Sequence, residues 1–374
     1  MKKTMMSNLP RDLWEEVLCR IPMTSLKKVR STCKKWNTLS KNSFFAKKHL
    51  AQVAKVAEEA KEFMVVVMMN YSLYLMGVNL SDKDVESCSI KRQSKLICPE
   101  IEVSKVFHCD GLLLCVSKDH KRLVVWNPYC GKPLWIEPTH KTRSWYALGY
   151  DKSSNSHKIL TCRDFTIYDL NSDSDSWRVL DITLDWKVNY YHCGVSLNGN
   201  AYWLAMTSPA LDSGEEGCLV CFDFTRETFG PRLPLPFQHL PRDTVSLSAV
   251  RGGKLAAMFQ PWDSLGVKIW VTNKIEPDAL SWESKVFLSV SLKQSIHHMF
   301  QFMVTGGSFF IEEEMKVAVF FDEEFAPRSK KPIFNLAYII GVDGSIKRVD
   351  LGESARRGFP PLACSYLPSL IQPN

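Results

Sequence analysis

The sequence predicts a multi-domain α+β chain. Residues 1–50 form a small all-α module, 51–62 a helical linker, and 63–374 an all-β, propeller-like domain of about six or seven blades. Three observations predict this. Between Ser7 and Leu50, apolar residues recur at three- and four-residue steps, as on amphipathic helices. From Phe63 onward short apolar runs alternate with Gly, Asn, Asp and Pro turn signals, with almost no helical period. Beneath that texture lies a loose repeat of roughly 40–50 residues, the period of a multi-stranded blade, with a β-sandwich carrying long loops as the alternative.

In the first segment, Leu13, Trp14, Val17, Leu18 and Ile21 make one stripe. Pro10 fits a first helical turn, where its missing N–H has no partner in any case. Asp12, Glu15 and Glu16 lie near the positive end of the helix dipole, and Pro22 stops the helix. Thr24 or Ser25 caps a second helix with apolar positions Leu26, Val29, Cys33 and Trp36. Lys27, Arg30 and Lys34 fall within about 60° of one another beside that stripe. Asn42–Leu50 starts a third helical segment, and Ala51–Phe63 has the composition of a helix joining the two parts. Two short helices rarely bury enough apolar surface to be stable alone, so part of the stripe must dock on something else.

Charge sharpens the division. The chain carries a net +7, and residues 1–60 hold 13 Lys/Arg against 5 Asp/Glu. The remaining residues hold 34 against 35, so the basic excess sits on the helices. Such an excess attracts polyanions or an acidic protein partner. Residues 1–30 lack the continuous apolar core of a secretory signal, and the 12 cysteines are scattered within apolar runs, as reduced thiols packed as small hydrophobes are. Phe63–Leu80 is 18 residues without a charge, the length of a membrane span, but Asn70, Tyr71, Ser72, Tyr74, Gly77 and Asn79 interrupt it. It reads as two strands turning near Met69-Asn70-Tyr71.

The repeat has two phrases. A turn leads into a buried strand in CDGLLLCV at 109, LNGNAYWLA at 197, RGGKLAAMF at 251 and TGGSFFIEE at 305. A strand reaches an aromatic residue at Trp126, Tyr168, Phe222 and Trp270, spaced by 42, 54 and 48 residues. The Asp-Gly, Asn-Gly and Gly-Gly turns accept positive φ, and the aromatics are placed to fill gaps between blades.

The opening segment, LPRDLWEEVLCRIPMTSLKKVRSTCKKWNTL followed by FFAKKHL, resembles an F-box. The resemblance rests on Leu9-Pro10, the Leu-x-x-x-Val-Leu core, Arg20-Ile21-Pro22, Ser25-Leu26, Val29-Arg30 and Cys33-Lys34-Lys35-Trp36. It implies docking on a Skp1-like adaptor, and through it a cullin, by Leu9, Pro10, Leu13, Trp14, Val17, Leu18, Ile21, Pro22, Leu26, Val29, Arg30, Lys34 and Trp36. That adaptor family is acidic, which favours a protein partner over nucleic acid. FHCDGLLLCV, LVVWNP, YALGYD, VSLNGNAYWLA and FDFTRETF resemble the type 1 F-box associated domain of plants, with an Asp-Ser insertion near residue 174. The double glycines are similar to those of kelch repeats, but the regular Tyr and Trp spacing of kelch is absent.

No residue pattern declares catalysis. Phosphate-cradling, dinucleotide-binding, zinc-protease and nucleophile-elbow motifs are missing from the sequence. Cys218 and Cys221 form a lone C-x-x-C whose strand alternation turns the thiols to opposite faces, so no metal is expected there. His108-Cys109 and His192-Cys193 are adjacent strand residues that point apart, with no orienting carboxylate implied, and His297-His298 reads as filler. The expectation is a non-catalytic chain without cofactor, metal, nucleic acid or membrane, located in cytoplasm or nucleus. It would be the substrate-recognition subunit of a Skp1–cullin–F-box ubiquitin ligase, with a lectin or ligand-binding scaffold as the alternative. Candidate substrate loops are Thr207–Cys218, Gly230–Asp243 and Phe259–Gly266, with Trp262 and Asp263 as the contact residues, although Trp262 reads more readily as filling a blade interface.

Overall fold

The computed structural model describes residues 11–21, 29, 32, 34–40, 43–80, 84–96, 101–129, 133–172, 176–188, 194–207, 217–292, 300–303, 308–324 and 332–373. Among the described residues, helices Arg11–Cys19, Lys34–Ser40 and Ser43–Glu59 precede six antiparallel sheets. The blade count is therefore six. One helix, Ser43–Glu59, runs through both the third helical segment and the expected linker.

Each blade has four strand positions from the inner strand outward; in blade 4 the inner position and in blade 5 the outer one is shared by two short strands, so those two sheets have five strands. Blade 2 runs Val103–Cys109, Leu112–Ser117, Leu123–Trp126 and Pro133–Ile136. Blade 3 spans Tyr146 to Val179, blade 4 Trp186 to Phe229, blade 5 Thr244 to Ser291 and blade 6 Ser308 to Glu353. Blade 1 is assembled from both ends of the domain. Its inner strand is Leu362–Ser365, which pairs antiparallel with Glu62–Met69 in the register Val65↔Ser365 to Met68↔Leu362. Glu62–Met69 then turns at Asn70-Tyr71, both with positive φ, into Ser72–Asn79. Joining first strand to last removes the exposed edge an open ring would leave.

Six apolar clusters fill the six gaps between blades. Trp126 packs in the cluster of blades 1 and 2, Tyr168 in that of blades 2 and 3, and Phe222 in that of blades 3 and 4. Trp270 is half-buried, its ring 5.0 Å from Phe237. All four aromatics lie on third strands, so the repeat read from sequence is the register of blades 2 to 5. Turns at Asp110-Gly111, Asn198-Gly199 and Gly252-Gly253 join first strands to second, as the first three phrases predict. The fourth is out of register. Gly306-Gly307 precedes the inner strand Ser308–Glu312, whose own turn ends at Lys316 with φ 56°.

Blades 3 and 4 are also joined by charge. Buried Lys158 Nζ lies 2.6 Å from Asp151 Oδ2 and 2.8 Å from Glu227 Oε1, and Arg178 reaches the other oxygen of Glu227. With both carboxylates and Arg178 engaged, the buried ammonium of Lys158 has its counterions in place. Inner strands of the ring enclose a central channel of about 400 Å³.

Candidate functional site

Helix Arg11–Cys19 has two sides. Leu18 and Cys19 are buried with Phe45, and Ile21, Val29 and Trp36 pack partly against them. Leu13 and Val17, one turn apart, stay 50% and 44% exposed, and Phe44 on the third helix is 73% exposed. Lys34 is exposed as well. The stripe therefore splits: Leu18 and Ile21 close the module's own small core, whereas Leu13 and Val17 form an uncovered ridge. Leu9, Pro10, Pro22, Leu26 and Arg30 lie outside the described residues, as does the side chain of Trp14.

The module sits on the propeller through its third helix. Ala46 and Leu50 pack on Tyr129 and Leu370. Fully buried His49 places Nε2 2.8 Å from the Ile21 carbonyl and Nδ1 3.1 Å from the Tyr129 hydroxyl. Since a carbonyl only accepts, Nε2 carries the proton and the Tyr129 hydroxyl donates to Nδ1. Asn127 completes the seat. Its Oδ1 accepts the Tyr129 N–H at 2.8 Å, and its Nδ2 donates to the carbonyls of Ser369 and Ile371. No sequence pattern singled out His49 or Tyr129, which are 80 residues apart.

Chain direction then assigns the two faces of the ring. The helices deliver the chain to Glu62, where blade 1's second strand begins, so they lie on the face of the first-to-second and third-to-fourth strand turns. The opposite face carries the second-to-third turns and the connections between blades. All three loops proposed from sequence belong to that opposite face, although residues 208–216 lie outside the described ones. Trp262 is 52% exposed there instead of filling a blade interface, and its backbone N–H donates to Asp243 Oδ1 at 2.8 Å. Asp263, also exposed, has φ 65°.

Near the channel, the expectation that no carboxylate orients the His108-Cys109 pair needs correction. His157 of the next blade places Nε2 3.1 Å from Asp110 Oδ2, and the Cys109 thiol lies 3.6 Å from the same oxygen. The hydrogen bond from His157 holds the Asp110 carboxyl below its usual range, while burial pushes the Cys109 thiol well up. That keeps the sulfur protonated and a poor nucleophile. Cys109, Asp110 and His157 offer three donor atoms within 4.8 Å, one fewer than a closed structural zinc site uses. His108 points elsewhere: its Nε2 accepts the Gly111 N–H at 3.0 Å, and burial lowers its pKa to about 4. Cys218 and Cys221 enter different inter-blade clusters, and burial raises their thiols to about 11 and about 12. His192-Cys193 and His297-His298 lie outside the described residues. Among those described, no helix is long and apolar enough to cross a membrane.

Residues 6–48 match the F-box domain, and residues 64–373 match the F-box associated beta propeller domain. An F-box protein of Arabidopsis thaliana, At3g19470, is 57% identical over 99% of this chain and 100% of its own. The F-box/kelch-repeat protein At3g16740 of the same plant is 49% identical over 98% of this chain and 99% of its own. Among solved structures, TolB from Acinetobacter baumannii is similar with a TM-score of 0.43 at 14% identity, covering 86% of this chain and 73% of that one. With both domain models matched and relatives aligned end to end, the chain belongs to the family of F-box proteins that carry an F-box associated β-propeller.

Proposed function

We propose that the chain is a non-catalytic substrate receptor of a Skp1–cullin–F-box ubiquitin ligase. The helical module docks a Skp1-like adaptor, and the propeller face turned away from it holds a protein substrate. The observation that carries this reading is the ridge of Leu13 and Val17, two aliphatic side chains left half-exposed on a helix whose other side is sealed. Covering such side chains on a partner contributes about 1.5–3 kcal/mol each. The opposed faces suit the division of labour, because a substrate held away from the adaptor meets no competition for space. Holding it there raises the effective concentration of its lysines near the ubiquitin carrier without bond-making by this chain. The role fits a cytoplasmic or nuclear location.

Leu13→Asp with Val17→Asp tests the reading by capture of a recombinant Skp1-like adaptor. Both positions are exposed, so the variant melts like wild type while capture falls roughly tenfold or more. Ile21 is avoided because it packs in the module's core and its carbonyl accepts from His49. Undiminished capture would overturn the assignment.

A further inference from the structure

We infer that the face of blades 1 to 3 turned away from the helices binds an acidic polypeptide segment of the substrate. This rests on the receptor reading above and names the chemistry its propeller would select. The face comprises the described turns and connections 70–71, 101–102, 117–122, 137–145, 162–165 and 354–361, with Lys105 at the head of blade 2's inner strand. These residues hold nine Lys/Arg against four Asp/Glu, although the chain from residue 61 onward is nearly balanced. The surplus is therefore local, a basic sector on an otherwise neutral ring.

Each acid in the sector is engaged close at hand. Glu102 pairs with Lys118 at 3.0 Å, Glu137 with Lys141 at 2.7 Å, and Asp164 with His140 at 3.1 Å. Asp119 accepts the Ser117 hydroxyl and the Lys121 N–H, which holds its own turn. Lys121, Arg122, Arg163 and Arg356 are exposed and lie outside those pairs, and Arg143 and Arg357 add two more exposed guanidinium groups.

The sector is continuous and partly preordered. Arg356 lies over the Phe359 ring at 4.6 Å, Phe359 lies 6.1 Å from Tyr71, and Lys118 sits over Tyr71 at 4.0 Å. Arg122 covers Trp135 at 5.1 Å, and Arg163 donates to the Thr142 hydroxyl and the Arg143 carbonyl. Stacked guanidinium groups lose less freedom when they grip a carboxylate, and two parallel N–H donors suit that grip. The field is felt locally: burial, and after it Arg143 and Lys105, lowers the pKa of His120.

A polypeptide fits better than a nucleic acid. Four carboxylates interrupt the basic surface, and the rings of Tyr71, Trp135 and Phe359 already carry a cation on one face instead of standing open for bases.

The test is fluorescence anisotropy of the full chain with a labelled alternating Glu-Ser dodecapeptide, its Lys-Ser counterpart and an oligouridylate of equal length. Binding of the acidic peptide alone, weakened by raising salt from about 0.05 M to about 0.3 M, is expected. Arg122→Glu with Arg143→Glu should raise its Kd roughly tenfold or more, and the milder Arg122→Gln with Arg143→Gln severalfold. Lys268→Glu, an exposed lysine on blade 5, should change nothing. Equal affinity of the charge-reversed variant, or tighter binding of the RNA, would overturn the inference. Adaptor capture by the same preparations keeps the two readings apart. Capture without peptide binding removes only the acidic segment, and peptide binding without capture removes only the ligase role.

Discussion

His49 and Tyr129 join the helical module to the propeller through one buried hydrogen bond of 3.1 Å, Nδ1 to hydroxyl. The other ring nitrogen of His49 is spent on the Ile21 carbonyl, so the imidazole couples the end of the first helix to a turn of blade 2. Helix orientation over the ring therefore depends on this buried side chain together with the packing of Ala46 and Leu50 on Tyr129 and Leu370.

Tyr129→Phe removes the hydroxyl that donates to the buried Nδ1 of His49, at a cost of roughly 1–3 kcal/mol. The loss falls on docking, because the six inter-blade clusters are untouched. Faster hydrogen exchange in residues 43–59, with propeller amides unchanged, is the expected outcome. Uniform protection across both parts would show that the hydrogen bond does not hold the module.

Gly149 lies on the inner strand of blade 3, where an added Cβ would sit 2.0 Å from the ring of fully buried Phe224. Gly149→Ala should destabilise the ring by roughly 1–3 kcal/mol through overpacking. Pairing it with Phe224→Leu should recover part of the loss, since the two sites share one contact. Thermal melting of the single and double variants measures both effects.

Asp322 of blade 6 is fully buried, and burial raises its carboxyl to about 7, against the opposing N–H donors of Met303 and Glu323. Because the folded value lies above the unfolded one, the protonated form favours the fold. Its contribution is complete below about 3.8 and is lost as pH rises to about 7, on the order of 4 kcal/mol in all. Denaturant unfolding at about pH 5 and about pH 8 should show wild type weakening over that interval. Asp322→Asn, which cannot ionise, should flatten the dependence, and an unaltered slope would clear this residue of responsibility.

What the sequence disclosed follows the range of the interactions involved. Asp110-Gly111, Asn198-Gly199 and Gly252-Gly253 are local signals, since a positive φ is demanded by the turn itself, and they marked blades 2, 4 and 5. Trp126, Tyr168 and Phe222 recur because each fills an equivalent gap. The blade count stayed open because blade 1 borrows its inner strand from residues 362–365, a pairing with no local signature. His157 reached Asp110 unseen for the same reason, since the two meet only across a blade boundary. At Leu13 and Leu18 the amphipathic stripe was legible, but which half would be covered depended on Phe45 of another helix.

Asn127 has a consequence for synthesis. The carbonyls it holds belong to Ser369 and Ile371, and Leu370 between them is part of the floor under Ala46 and Leu50. The helices are synthesised before the ring, yet their foundation is finished only when residues 369–371 have emerged. A prematurely terminated product would display the Leu13–Val17 patch on a loose tether, above a ring lacking its closing strand. Correct aim of the helical module thus certifies that synthesis has passed Ile371.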